Sequence, residues 1–161
     1  MRWQDYLLPG AILFAGISCS APAEKYEGDC KELVELTACF LNHYCEGRFE
    51  EVERLFAPHA VVAIDRVDKD EQSLLTAGEF LAGSRAAWNK GTRFTESLAG
   101  QPVVLRDHNV VCVWAPYLVE ADSGDAEGID VFQWIKMEGE WRLVSLSYTN
   151  RSVPCPAREQ K

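Results

Sequence analysis

The run Gly128-Ile129-Asp130-Val131-Phe132-Gln133-Trp134-Ile135-Lys136, followed across Glu138-Gly139 by Trp141-Arg142-Leu143-Val144-Ser145-Leu146-Ser147-Tyr148-Thr149, reads as two long strands joined by a tight turn. β-branched and aromatic residues dominate both segments, and side chains repeat with a period of two. Gly139 supplies the turn chemistry. Upstream, residues 110–120 form another such strand, separated from the first by an acidic hairpin loop at 121–128. Residues 94–105 read as one long strand interrupted at Gly100-Gln101-Pro102, where a bulge is expected. Arg106-Asp107-His108-Asn109 then has turn character. The C-terminal part is therefore a meander of antiparallel strands.

Before residue 90 the periodicity is helical. Leu33, Leu36, Phe40 and Tyr44, with Val34, Ala38 and Leu41 beside them, make one broad apolar face. Gly47 stands where a helix C-terminus needs a glycine. A short helix at 49–56 closes at Pro58, a brief strand follows at 60–64, a charged loop at 65–71 and a third helix at 76–89. Helices first and long strands afterwards define an α+β chain. Its 161 residues suffice for one domain. A net charge of −9 with no run of Lys or Arg excludes a nucleic-acid binder, which needs clustered cations to displace counterions.

The first residues have another character. Arg2 leads into an apolar stretch at 7–17 that ends in Ser18-Cys19-Ser20, the layout of a secretory signal. The stretch is shorter than the roughly 18–20 apolar residues a spanning helix needs. The small residues before Cys19 resemble a bacterial lipoprotein processing site, with ordinary cleavage after Ala21-Pro22-Ala23 as the competing reading. The expected layout is a signal peptide at 1–18, a tether at 19–29, a domain at 30–155 and a tail at 156–161. Export to a bacterial periplasm or cell envelope follows, with the membrane reached only through a lipid on Cys19. Six cysteines fit an oxidising compartment. Cys39 and Cys45 lie about 9 Å apart along one helix, too far for a bridge. Cys112 has apolar neighbours and reads as a buried thiol. Cys30 and Cys155 remain as the disulfide candidates. No Cys/His spacing suggests zinc, and no cofactor is implied.

The segment from Tyr44 to Val62, with a helix ending at Gly47, a short helix ending in Leu55-Phe56 and a strand after it, resembles the opening of nuclear transport factor 2-like domains. The hairpin at 128–149 resembles that family's last hairpin, and with Trp114-Ala115-Pro116-Tyr117 it looks most like the bacterial lumazine-binding-like subgroup. The resemblance implies a cone-shaped, cystatin-like roll with N-terminal helices packed on a curved antiparallel sheet and a pocket at the wide end. The superfamily mixes isomerases, dehydratases and cyclases with non-catalytic members, so fold alone gives no function.

Asp130 is the residue that stands out. Alternation places it on one face with Phe132 and Trp134, in a strand of mostly apolar residues. A carboxyl group there must be paired, hydrogen-bonded or held neutral. By position it matches the pocket aspartic acid of the steroid isomerases, a protonated donor to an oxyanion that is a familiar case of pKa tuning. The rest of that machinery does not carry over. The general-base position falls on Ile64, with Asp65 one residue late, and the oxyanion tyrosine position falls on Phe40. Trp114 and Tyr117 have opposite parity, and a bulge at Pro116 would bring both toward the cavity. On the last strand Ser147 and Thr149 share a face with Ser145. The resemblance implies that this small polar set lines the cone, with Val144, Leu146 and Tyr148 outside under a homodimer partner. His43, His59 and His108 read as solvated, and the acidic loops at 65–71 and 120–127 as surface charge. The expected ligand-binding set is Asp130, Trp114, Tyr117, Phe132, Ser147 and Thr149, holding a small, largely apolar ligand without catalysis. An isomerase, dehydratase or cyclase using Asp130 is the alternative. A purely structural or assembly module is a further one, and it would have a filled cone.

Overall fold

The computed structural model describes residues 28–153. Helix α1 (Asp29–Cys45) buries Leu33, Val34, Phe40 and Leu41, one stripe of its surface. Its end is set by Gly47, whose φ of 72° only glycine adopts without strain. There the Arg48 N–H donates to the His43 carbonyl and the Gly47 N–H to that of Tyr44, so two orphan carbonyls are satisfied. The indole of Trp88 lies against Gly47 where a Cβ would stand, and the Arg93 guanidinium covers the same ring at 3.7 Å. Helix α2 (Phe49–Leu55) follows directly, and α3 (Ala77–Asn89) starts on a reciprocal cap between Thr76 and Glu79.

Seven strands form one sheet: β1 (Phe56–Arg66), β2 (Glu71–Thr76), β3 (Phe94–Leu98), β4 (Val103–Asp107), β5 (Val110–Ala121), β6 (Ala126–Met137) and β7 (Glu140–Ser152). Their order is β2-β1-β7-β6-β5-β3, with β4 also on β5. The expectation of an antiparallel sheet needs correcting, because β1 runs parallel to β7. The chain crosses from β1 through β2 and α3 before the meander begins, and the meander's last strand returns beside β1. The sheet is mixed. The charged loop expected at 65–71 shrinks to one 3-10 turn (Val67–Lys69), since Glu71–Thr76 pairs with β1 as an edge strand. The expected interruption at 100–102 holds: β3 and β4 share β5 on either side of it, and the Ala99 N–H donates to the Pro116 carbonyl.

The core lies between the helices and one face of the sheet. From β1 it takes Val62 and Ile64, from β5 Val111, Val113 and Ala115, from β6 Phe132 and Trp134, and from β7 Trp141, Leu143 and Leu146. Among the described residues Cys39 is disulfide-bonded, while Cys30, Cys45 and Cys112 are free thiols, so the expected pairing of Cys30 is not formed. Cys30 sits in the first turn of α1, and nine residues on a helix carry Cys39 about half a turn round to the opposite side. Cys155, Cys19, the signal segment and residues 19–27 of the expected tether lie outside the described residues, and the tether's last residue, Asp29, already belongs to α1.

Candidate functional site

The inner face of the sheet does not close completely on the helices. A cavity of about 200 Å³ remains, walled by Phe40, Leu41 and Tyr44 of α1, Phe80 of α3, and residues of β3, β5, β6 and β7. Seven of its lining residues are aromatic: Phe40, Tyr44, Phe80, Phe94, Tyr117, Phe132 and Tyr148. The Tyr44 ring is central to that wall, stacked on Phe80 at 5.4 Å and tilted against Phe94 at 5.5 Å. Among the described residues no Lys, Arg or His lines the space. Its charge-bearing members are two carboxyl groups, Glu96 and Asp130.

Asp130 is 3% exposed, next to Phe132 and Trp134 on the inner side of β6 as alternation predicts. Its Oδ2 receives no N–H or hydroxyl from the described residues. The neighbour it does meet is the Glu96 carboxyl, and two such groups bond only through a shared proton. Burial holds Asp130 well above the usual carboxylate range, and the Glu96 charge adds to it. Burial also pushes Glu96 up to about 7, against a lowering by the bond to Asp130. Glu96 is anchored from behind: its own N–H donates to Cys45 Sγ at 3.1 Å, which ties β3 to the last turn of α1.

Two of the cavity's three phenol hydroxyls are engaged with neighbouring residues. Tyr117 Oη donates to the Thr149 carbonyl at 2.6 Å and accepts from Asn150 Nδ2 at 3.2 Å. Tyr44 Oη lies 2.9 Å from Ser84 Oγ, and that hydroxyl donates to the Phe80 carbonyl, so Tyr44 is the donor of the pair. Burial raises the phenols of Tyr44 and Tyr117, and lifts that of Tyr148 to about 12, so all three stay neutral at ordinary pH.

Of the residues expected at the site, the cavity brings together Asp130, Tyr117 and Phe132. Trp114, Ser147 and Thr149 lie on the other face, around an outer groove of about 510 Å³ with Asp65, Leu74 and Val131. Two local features explain the difference. Pairing between β5 and β6 runs without a shift past Pro116, so Trp114 and Tyr117 keep opposite faces. On β7 the register with β6 slips between Gln133 and Trp134, leaving Val144 as an extra residue. Beyond it Leu146, Tyr148 and Asn150 turn to the cavity, the reverse of the expected assignment. Ile64 is buried on the inner side and Asp65 accepts from Gln72 Nε2 outside, so no general base stands where the steroid isomerases need one. His43 is 7% exposed rather than solvated, and burial lowers its pKa.

Glu96 escaped the sequence reading. Phe94, Glu96 and Leu98 share one parity in β3, and both apolar members are partly buried, the same signal that singled out Asp130. Tyr44 closes a helical stripe that reads as core, so its part in a cavity wall has no mark of its own.

No family model and no curated protein matches the chain. Solved structures do. A nuclear transport factor 2-like protein from Cytophaga hutchinsonii superposes with a TM-score of 0.64 at 13% identity, over 79% of this chain and 100% of that one. A nuclear transport factor 2-like protein of unknown function from Shewanella baltica gives 0.59 at 15% identity, over 78% and 95%. The β subunit of a putative aromatic-ring-hydroxylating dioxygenase from Novosphingobium aromaticivorans gives 0.61 at 16%, over 76% and 88%. The chain has the nuclear transport factor 2-like fold. These similarities carry that fold and not the lumazine-binding-like subgroup.

Proposed function

We propose that this protein is a small-molecule-binding domain whose ligand occupies the inner cavity against Glu96 and Asp130. The observation that carries the reading is a buried carboxyl pair in an otherwise apolar space. Asp130 lines the cavity, its Oδ2 takes no N–H or hydroxyl from the described residues, and the partner it meets is another acid, Glu96, a costly arrangement that a ligand beside the pair would relieve. An aromatic wall with a few convergent polar groups is the usual make-up of a ligand site. A cavity of this size also weighs against a purely structural module, for which the cone would be filled.

Benzyl alcohol suits the space, since an engineered cavity of about 150 Å³ already takes benzene. Titrated into the labelled protein, it should shift amides of β3, β5, β6 and β7 around the cavity and leave those at the outer groove unmoved. Leu146→Trp, which fills the space from β7, should abolish the shifts while the circular dichroism stays native. Shifts confined to the outer groove, or none at all, would refute the reading.

A second reading rests on Glu96 alone. A carboxyl pushed up to about 7 is poised for general acid–base work, as an isomerase, dehydratase or cyclase would use it with Asp130. Turnover of a carbonyl substrate, lost in Glu96→Gln, would favour that enzyme over a binding domain.

The outer face is proposed to meet a second copy of the chain. Trp114 (48% exposed), Leu74 (73%), Val103 (54%) and Leu105 (63%) leave large apolar surface there, which a homodimer would cover. Sedimentation should give a dimer for the wild type and a monomer for Trp114→Glu. A wild-type monomer at high concentration removes this partner.

A further inference from the structure

We infer that the cavity selects a small organic cation, a protonated amine or quaternary ammonium, held between the Glu96–Asp130 carboxyl pair and the aromatic wall. The inference rests on the binding reading above and names the ligand class for that same site.

Three independent features converge on it. The first is the sign of the cavity: among the described residues, two carboxyl groups and no basic side chain line it. The second is the burial of the pair. Asp130 is only 3% exposed and its Oδ2 takes no N–H or hydroxyl from the described residues, so the Glu96 carboxyl is the partner it has, and an ammonium beside the pair supplies the missing cation. The third is the wall. Aromatic faces attract cations through the ring quadrupole, most strongly where water is excluded, and cages of such rings are the known device for alkylammonium groups. Here Phe94, Tyr117 and Tyr148 stand round the same space as the carboxyls, backed by Tyr44 stacked on Phe80. A neutral ligand of similar shape would gain the apolar contact and leave the acid pair as it is.

The pair's proton then reports on binding. Round the carboxyls stand Tyr44 from α1, Tyr117 from β5, and Tyr148 with Asn150 from β7, with the Cys45 thiol behind Glu96; the cation that acts on Tyr148 is Arg66 of β1, which is ion-paired with Glu71 at 3.2 Å. The phenols and the Cys45 thiol are all raised by burial and stay neutral over the working range, so the Glu96–Asp130 pair is the group that titrates. A cation placed against it favours the ionised form. At low pH, where both carboxyls hold protons, binding must therefore expel a proton to solvent. At higher pH the pair is already negative and the cation enters without that cost.

Benzylamine and benzyl alcohol have nearly the same shape, and the amine stays charged from about pH 5 to about pH 8 because alkylamines titrate near 10. Calorimetry on the full chain should show benzylamine binding at least about tenfold tighter than benzyl alcohol at the upper pH, with the advantage shrinking toward the lower one. Repeating the acid-side titration in two buffers of different ionisation heat should reveal proton release for the amine and none for the alcohol. In Glu96→Gln with Asp130→Asn, the amine's advantage over benzyl alcohol should vanish. Equal affinity for the two probes in the wild type, without proton release, overturns the cation inference and leaves the binding site standing. Failure of both probes to bind overturns the site itself. The buffer comparison uses wild-type protein, so the test survives a double variant that does not fold.

Discussion

Wild-type protein should lose stability as pH rises from about 5 to about 8, and the double variant Glu96→Gln with Asp130→Asn should lose much less. In the unfolded chain both carboxyls ionise near 4. In the folded chain burial raises both, Glu96 to about 7 and Asp130 well above its ordinary value. Between those limits the folded state holds protons that the unfolded state has released. Stability falls with pH wherever the native state binds more protons. The contribution is therefore intact below the unfolded values, declines through the window, and is gone once pH passes the folded values. For Glu96 the gap from 4.5 to about 7 corresponds to roughly 3 kcal/mol. Amides of the same shape do not titrate and carry no such slope. The net charge of −9 also grows more repulsive as pH rises, but it does so in both proteins and cancels in their difference. Urea melts at the two pH values measure this directly. A wild-type stability that is flat or rising across the window, parallel to that of the variant, would show that the pair is hydrated and outside the cavity's low-dielectric space.

Asp130 and Glu96 carried the same written signal, a carboxylate at an apolar parity, yet only Asp130 was conspicuous. Its strand is long and nearly every neighbour of its parity is a large apolar residue. Glu96 sits in a short strand between Thr95 and Ser97, where alternation reads equally well with either face buried. What decides the matter is the packing of α1 over β3, a contact between segments distant in sequence. The elements themselves were largely legible because helix stripes, Gly47 and the strand alternation are local. β2 was not, since Glu71-Gln72-Ser73-Leu74-Leu75-Thr76 is polar and edge-like and is a strand only by virtue of its register with β1.

Face assignment on β7 failed for a different physical reason. Parity is a relative quantity, and one extra residue inverts everything beyond it. The bulge at Val144 leaves Trp141 and Leu143 facing in on one side and Leu146, Tyr148 and Asn150 facing in on the other. Nothing in Leu143-Val144-Ser145 marks it, because all three residues are ordinary strand formers. The expectation about Trp114 failed in the converse way. Pro116 looks like a bulge, but its missing N–H falls on the side of the broken β3–β4 edge, where the sheet needs no donor from it.

Gly128→Ala should destabilise the protein by about 3 kcal/mol or more and lower Tm on the order of 10 °C. The reason is not backbone conformation, since Gly128 has no positive φ. A Cβ at this position would lie 1.9 Å from the Thr149 carbonyl oxygen and 2.9 Å from Cε1 of Tyr117. Gly128 is the register partner of Tyr117 across β5 and β6, and its bare Cα leaves room for the ring to lie over it toward β7. There the Tyr117 hydroxyl takes the place of a ladder donor on the Thr149 carbonyl, while the Ile129 N–H donates to Thr149 Oγ1 at 3.1 Å. The added methyl has to displace backbone or ring, and either movement breaks the 2.6 Å bond. A buried hydroxyl and a carbonyl left unpaired cost about 1–3 kcal/mol, and the overpacking adds a similar amount. Tyr117→Phe removes the hydroxyl's bonds to the Thr149 carbonyl and from Asn150 Nδ2 without touching the backbone, and should cost about 1–2 kcal/mol in the wild-type background. In the Gly128→Ala background the bond to Thr149 is already lost, so the same change should cost much less. Additive effects of the two substitutions, or a Gly128→Ala protein within about 0.5 kcal/mol of wild type, would mean that Tyr117 is not held over Gly128 and that this wall of the cavity is not built as described.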